Sequence, residues 1–125
     1  LCRRGGKAMT TIIVEDEVLI RMYVASALMR RGFTVLGQTG LGADGIVLLR
    51  ELQPDVVFVD YRLADGITGL EVARSIPDAS RTKAVLMTAY RLHDIEEADM
   101  PHFASVVSKP ITEADLDRAV VVLGA

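Results

Sequence analysis

Five short apolar runs, separated by stretches in which the hydrophobic period lengthens, constrain this chain more than any other feature. The runs are "TIIV" (Thr11 to Val14), "FTVLG" (Phe33 to Gly37), "VVFV" (Val56 to Val59), "AVLM" (Ala84 to Met87) and "ASVV" (Ala104 to Val107). They are aliphatic or β-branched and do not alternate with polar residues, as expected of strands buried on both faces of a parallel sheet. Between them apolar residues recur at helical spacing: Val18, Met22, Ala25 and Met29; Ile46, Leu49 and Leu52; Leu70, Ala73 and Ile76; Leu116, Ala119, Val120 and Leu123. Each stripe is read as an amphipathic helix with a polar back, and the methionines on the stripes as core filler. The stretch between the fourth and fifth runs, "RLHDIEEADMP", offers only Leu92, Ile95 and Ala98 before Pro101 ends the pattern, so its helix is the weakest. Strand and helix alternate five times, which predicts a doubly wound α/β sandwich with right-handed crossovers and helices on both faces of a five-stranded parallel sheet. Gly32 closes the first helix, Pro54-Asp55 precedes the third strand, and Thr112 with Asp115 marks the start of the last helix.

With 125 residues the chain fits a single domain. Residues 1–9 are read as a basic leader or remnant, disordered and outside a domain spanning 10–125, with Met9 a candidate natural start. The net charge of −3 and the lack of a clustered Lys/Arg surface argue against direct nucleic-acid contact. No apolar run approaches the ~18 residues of a membrane span. The single cysteine, Cys2, has no disulfide partner in the chain, which fits a cytoplasmic location.

In open α/β sheets ligands bind beyond the carboxyl ends of the strands. There the chain places Glu15 and Asp16 after the first strand, Asp60 after the third, Thr88 after the fourth, and Ser108, Lys109 and Pro110 after the fifth. Carboxylates crowded at the rim of an apolar core resist ionising together unless a cation neutralises them. Mg²⁺ suits the set, because it takes one or two protein carboxylates and fills its other positions with water and phosphate. Asp60 would then be the nucleophile toward a phosphoryl donor, Lys109 would pair with a phosphoryl oxygen, and Thr88 would donate its hydroxyl to another. Singly each residue has a plainer role: "EDE" as a helix first turn, Asp60 as a cap, Thr88 as a strand-end hydroxyl, Lys109 as a solvated cation. Jointly those plainer roles require four coincidences at one sheet edge.

Read as "VEDE", "VFVDYRLADG", "LMTAY" and "VSKP", these segments resemble the receiver domains of two-component response regulators, over Thr11 to about Leu123. The resemblance implies a flavodoxin-like strand order, 2-1-3-4-5. It implies a cytoplasmic signalling switch, not a turnover enzyme, in which Asp60 accepts phosphate from a histidine kinase or phosphotransfer protein. Glu15, Asp16, Asp60 and the backbone carbonyl of Arg62 would hold Mg²⁺, Thr88 and Lys109 would bind the phosphoryl group, and Lys109-Pro110 would be cis. A downstream partner or output domain is unspecified, and a homodimer, a stand-alone receiver and a fragment of a hybrid kinase are all left open. Val106 occupies the place where many receivers carry a switch aromatic, and a valine cannot swing as a ring does. Ala64 stands where proline is frequent, and Arg62 and Tyr90 flank the site where the family varies.

Two other classes compete. Gly40, Gly42 and Gly45 match G-x-G-x-x-G with Asp60 at the next strand end, the pattern of a dinucleotide-binding turn, although that motif normally opens a fold at its first strand. A haloacid dehalogenase-like phosphatase also uses an aspartyl nucleophile, a hydroxyl, a lysine and Mg²⁺, but needs an acid two residues on, where this chain has Arg62. His93 and His102 lie among acids without compact ligand spacing and are read as a solvated helix face.

Overall fold

The computed structural model describes residues 3–89 and 95–124. Five parallel strands form the sheet: β3 (Thr10–Val14), β4 (Thr34–Thr39), β5 (Val56–Asp60), β6 (Lys83–Thr88) and β7 (Ser105–Ser108), in the order β4-β3-β5-β6-β7. Counted among themselves, these strands follow the expected 2-1-3-4-5. The reversal beside β3 puts the ends of β3 and β5 side by side, with Val14 opposite Val59 in register.

Alternation along the strands divides the core into two layers. Val56, Phe58, Val85 and Met87 face one layer with α1 (Val18–Arg30) and α4 (Glu113–Val122); Val57, Val59 and Leu86 face the other with α2 (Gly42–Leu52) and α3 (Gly69–Arg74). β5 is buried throughout. The two edge strands, β4 and β7, are only partly covered, which differs from the expectation that all five runs are buried on both faces. At the opposite end from the carboxylates, Asp55 Oδ2 accepts from Thr10 N at 2.8 Å and Thr11 Oγ1 donates to the Val56 carbonyl at 2.9 Å, which pins β3 to β5.

Three expectations are corrected. On α1 the stripe Val18, Met22, Met29 is exposed at 54%, 59% and 53%, and only Ala25 of that set is buried. The core face is Val24, Ala25, Ala27 and Leu28: a helix apolar on nearly every side does not declare its buried face, and packing against the sheet selects one on which two alanines permit close approach. Met9 and Met87 are core methionines; Met22 and Met29 are not. Before β7, the described residues form a 3-10 helix over Glu97–His102 with Pro101 inside it, in place of an amphipathic α-helix that Pro101 ends. Proline has no N–H for an i→i−4 bond, and the segment instead closes with Asp99 N donating to Glu96 O and Phe103 N to Met100 O. Ile95 and Phe103 still anchor it in the core. Tyr90, Leu92 and His93 lie outside the described residues, as does Cys2.

The described part of the leader, residues 3–9, carries strand pairing where disorder is expected. β1 (Arg3–Arg4) pairs antiparallel with β2 (Lys7–Ala8) across Gly5-Gly6, both at positive φ. A two-residue turn with φ > 0 at both positions is the geometry glycine pairs favour in hairpins. Met9 then enters the core, and its carbonyl accepts from Thr34 N.

Candidate phosphoacceptor site

The ends of β3 and β5, neighbours in the sheet, bring three carboxylates together. Glu15, Asp16 and Asp60 each place a carboxylate oxygen within 4.8 Å of the others. Glu15 is fully buried and Asp60 6% exposed. Their positions follow from the sheet: Glu15 N donates to Thr39 O, extending the β3–β4 pairing by one residue, and Asp60 ends β5 in register with Met87 of β6.

Lys109 reaches the same point from the end of β7. Its Nζ lies 2.5 Å from Glu15 Oε1 and 3.1 Å from Asp60 Oδ2. Only the second contact is aligned as a hydrogen bond, so the buried Oε1 has a counter-ion beside it but no directed donor. Glu15 Oε2 accepts from Glu17 N at 3.2 Å, and Asp60 Oδ1 from Tyr61 N at 2.8 Å. Burial, countered by the Lys109 contact and reinforced by the Asp60 charge, raises the Glu15 pKa from 4.5 to about 7. Burial works against the Lys109 ammonium as well, but the Glu15 contact and the two negative charges outweigh it and its pKa is raised. Three carboxylates, one of them pushed toward protonation by burial, meet a single lysine ammonium, and Oε1 lacks a directed partner. The donor set therefore fits a hard divalent cation bound through oxygen.

Thr88 ends β6, one residue beyond the partner of Asp60, and is buried; its carbonyl accepts from Lys109 N at 2.9 Å, which ties the two strand ends together. The Lys109-Pro110 peptide bond is cis. Arg62 is exposed in the loop after Asp60 and pairs with Thr68 in an isolated bridge. Val106 does not join the carboxylates: it pairs with Leu86 and packs, half-buried, in the core layer that also holds Tyr61. Beside Lys109, a hollow of about 240 Å³ is lined by Leu19, Ile20, Tyr23, Pro110 and Ile111.

The loop after Asp60 is closed at its base by Gly69 N donating to Tyr61 O at 2.7 Å, and a Cβ on Gly69 would overlap the Asp60 carbonyl. α3 starts there with a capping box between Thr68 and Glu71. Sequence reasoning missed two supports. Arg21 Nη1 donates to the Glu15 carbonyl at 2.8 Å, a contact signalled only by a basic residue one turn into α1. Asp65, in the same loop, hydrogen-bonds across to α2.

Gly42 and Gly45 are filled from the protein side. A Cβ on Gly42 would come 2.6 Å from Ile67, and one on Gly45 2.8 Å from Val14. These glycines serve close packing, and the dinucleotide reading has no support. Nor has the phosphatase reading. Among the described residues His102 is exposed in the 3-10 helix and belongs to no candidate metal cluster.

A family model described as the response regulator receiver domain matches residues 11–121. The transcriptional regulatory protein PdtaR of Mycobacterium tuberculosis is 30% identical over 110 residues, covering 87% of this chain and 53% of that protein. AfsQ1, a transcriptional regulatory protein of Streptomyces coelicolor, is 38% identical over 85 residues, covering 68% of this chain and 36% of its own length. This chain thus spans about half or less of the curated relatives it matches. Among solved structures, the signal receiver domain of the response regulator NarL from M. tuberculosis superposes with a TM-score of 0.76 at 26% identity, covering 91% of this chain and 94% of that one.

Proposed function

Because the chain belongs to the response regulator receiver domain family of two-component signalling, we propose that its carboxylate cluster is a phosphorylation site at which Asp60 takes a phosphoryl group from a histidine kinase or phosphotransfer protein. The observation that carries this is Lys109 Nζ set between Glu15 and Asp60 at the carboxyl edge of the sheet, beside a partly exposed third acid.

Glu15, Asp16 and Asp60, with the backbone carbonyl of Arg62, would hold Mg²⁺. When bound, the ion supplies neutralising charge to the phosphoryl oxygens. An oxygen of Asp60 attacks phosphorus, the bond to the donor's nitrogen or oxygen breaks with its electron pair leaving on the donor, and Asp60 becomes an acyl phosphate. Lys109, already within reach of Asp60 Oδ2, turns its ammonium to a phosphoryl oxygen, and the Thr88 hydroxyl donates to another. The pull on Thr88 would be felt along β6 and β7, whose ends are joined by the Lys109 N to Thr88 O bond. Val106 supplies no ring, so the readout is carried by backbone and aliphatic packing around Leu86. A downstream partner that reads the switch would meet that surface. Among the described residues no helix is long and apolar enough to cross a membrane.

The test is incubation with acetyl phosphate and Mg²⁺, read by intact mass. One phosphoryl group is expected on the wild type, lost on chelation and absent from Asp60→Asn. Labelling of Asp60→Asn to the wild-type extent sinks the assignment.

A further inference from the structure

α2 begins at Gly42 with Leu41 as its N-cap, and leucine has no side-chain oxygen to offer the N–H groups of the first turn. The cap arrives from a different part of the chain. Asp65, at the tip of the loop after Asp60, accepts from Gly42 N through Oδ1 at 3.1 Å and from Ala43 N through Oδ2 at 2.9 Å. Within its own loop, Oδ1 also accepts from Ile67 N at 3.3 Å. The Ala43 bond foremost, against some desolvation, holds the carboxyl below its usual range, so Asp65 caps as an anion at neutral pH.

Two tight contacts make this a brace between the acid-bearing loops. On one side Ile67 fills the space over Gly42, and the loop that carries both Asp65 and Ile67 is closed next to Asp60 by the Gly69 N to Tyr61 O bond. On the other, Gly40 lies against Asp16: a Cβ there would come 3.3 Å from Asp16 Cα and 3.2 Å from Arg21 Nη1. A continuous path of contacts therefore runs from Asp60 through its loop to Asp65, across to the turn before α2, and on to Asp16.

We propose that Asp65 is a positioning residue for the carboxylate trio: by clasping the acceptor loop to the turn between β4 and α2, it holds Asp16 and Asp60 at the separation at which they share a divalent cation. This rests on the reading of the trio as metal-holding. Asp65 is not a member of the cluster and acts through the residues that are.

The test is calorimetric titration of the unphosphorylated protein with Mg²⁺, together with amide exchange at Gly42 and Ala43. It uses wild type, Asp65→Ala, Asp65→Asn and Asp55→Ala. Asp55 bonds Thr10 at the far end of the sheet and controls for lost stability. Asp65→Ala is expected to weaken Mg²⁺ binding about fivefold and to speed exchange at Gly42 and Ala43 by a similar factor, the usual size of a lost N-cap. Asp65→Asn, which keeps one acceptor oxygen, should fall between. Asp55→Ala should melt earlier yet bind Mg²⁺ as the wild type does. Unchanged affinity in Asp65→Ala overturns the proposal, as does equal weakening in Asp55→Ala. A wild type that binds no Mg²⁺ overturns the metal reading and this proposal together.

Discussion

Glu15 is fully buried and shares one ammonium with Asp60, so its ionisation is opposed by the fold that encloses it. Its pKa of about 7 lies above the value near 4.5 that it has in an unfolded chain. Between those values the native state binds the extra proton, so stability falls as the pH rises from about 4.5 to about 7, and the full penalty is present above that window. Metal-free protein should therefore melt at a higher temperature at pH 5 than at pH 8 as far as this group decides it. Glu15→Gln, which cannot ionise, should flatten that slope and melt above the wild type at pH 8. Mg²⁺ should raise the melting temperature of the wild type at pH 8 more than that of Glu15→Gln. Melting curves with chelator and with Mg²⁺ check all three, and a wild type whose stability increases between pH 5 and pH 8 while Glu15→Gln shows the same rise contradicts the assignment.

At the scale of elements, α4 is the helix whose reading survives unaltered: Leu116, Ala119, Val120 and Leu123 are buried, and Thr112 and Asp115 form a reciprocal capping box. Thr112→Ala should cost about 1 kcal/mol in urea denaturation, the usual value of such a cap. The exposed pairs of Arg30 and Arg31 with Glu113 and of Arg31 with Asp117, which join α4 to α1, contribute less. The contrast with α1 shows what periodicity can and cannot resolve. A helix with a polar back declares its buried face; α1 has apolar residues nearly all round, and only packing against the sheet selects Ala25 and Ala27 over Met22 and Met29. The strands were legible because β-branched runs of that length have few other fates. The acids and Lys109 were legible because topology puts strand ends together wherever they fall in sequence. Asp65 was not, since no local pattern links a carboxylate to N–H groups 22 and 23 residues earlier.

For the whole molecule, stability rests on a sheet buried between two helical layers, with Phe58 at its centre. It is completely enclosed and meets Phe33 edge-on, ring centroids 6.4 Å apart at 83°. Phe58→Ala should cost about 3–5 kcal/mol, a large share of the ~5–15 kcal/mol that typical domains have. Urea midpoints test this, and a loss under about 1 kcal/mol would mean the core closes around the gap. The same architecture makes the two halves interdependent: β3 lies between β4, which follows it closely, and β5, which emerges later, and α2 takes its cap from a residue later still. A nascent chain that has left the ribosome only as far as Gln53 thus carries the whole of α2 but not the carboxylate that finishes its first turn. Such a short helix is marginal in water. The first half of this domain should therefore stay loosely structured until β5 and Asp65 have both been synthesised.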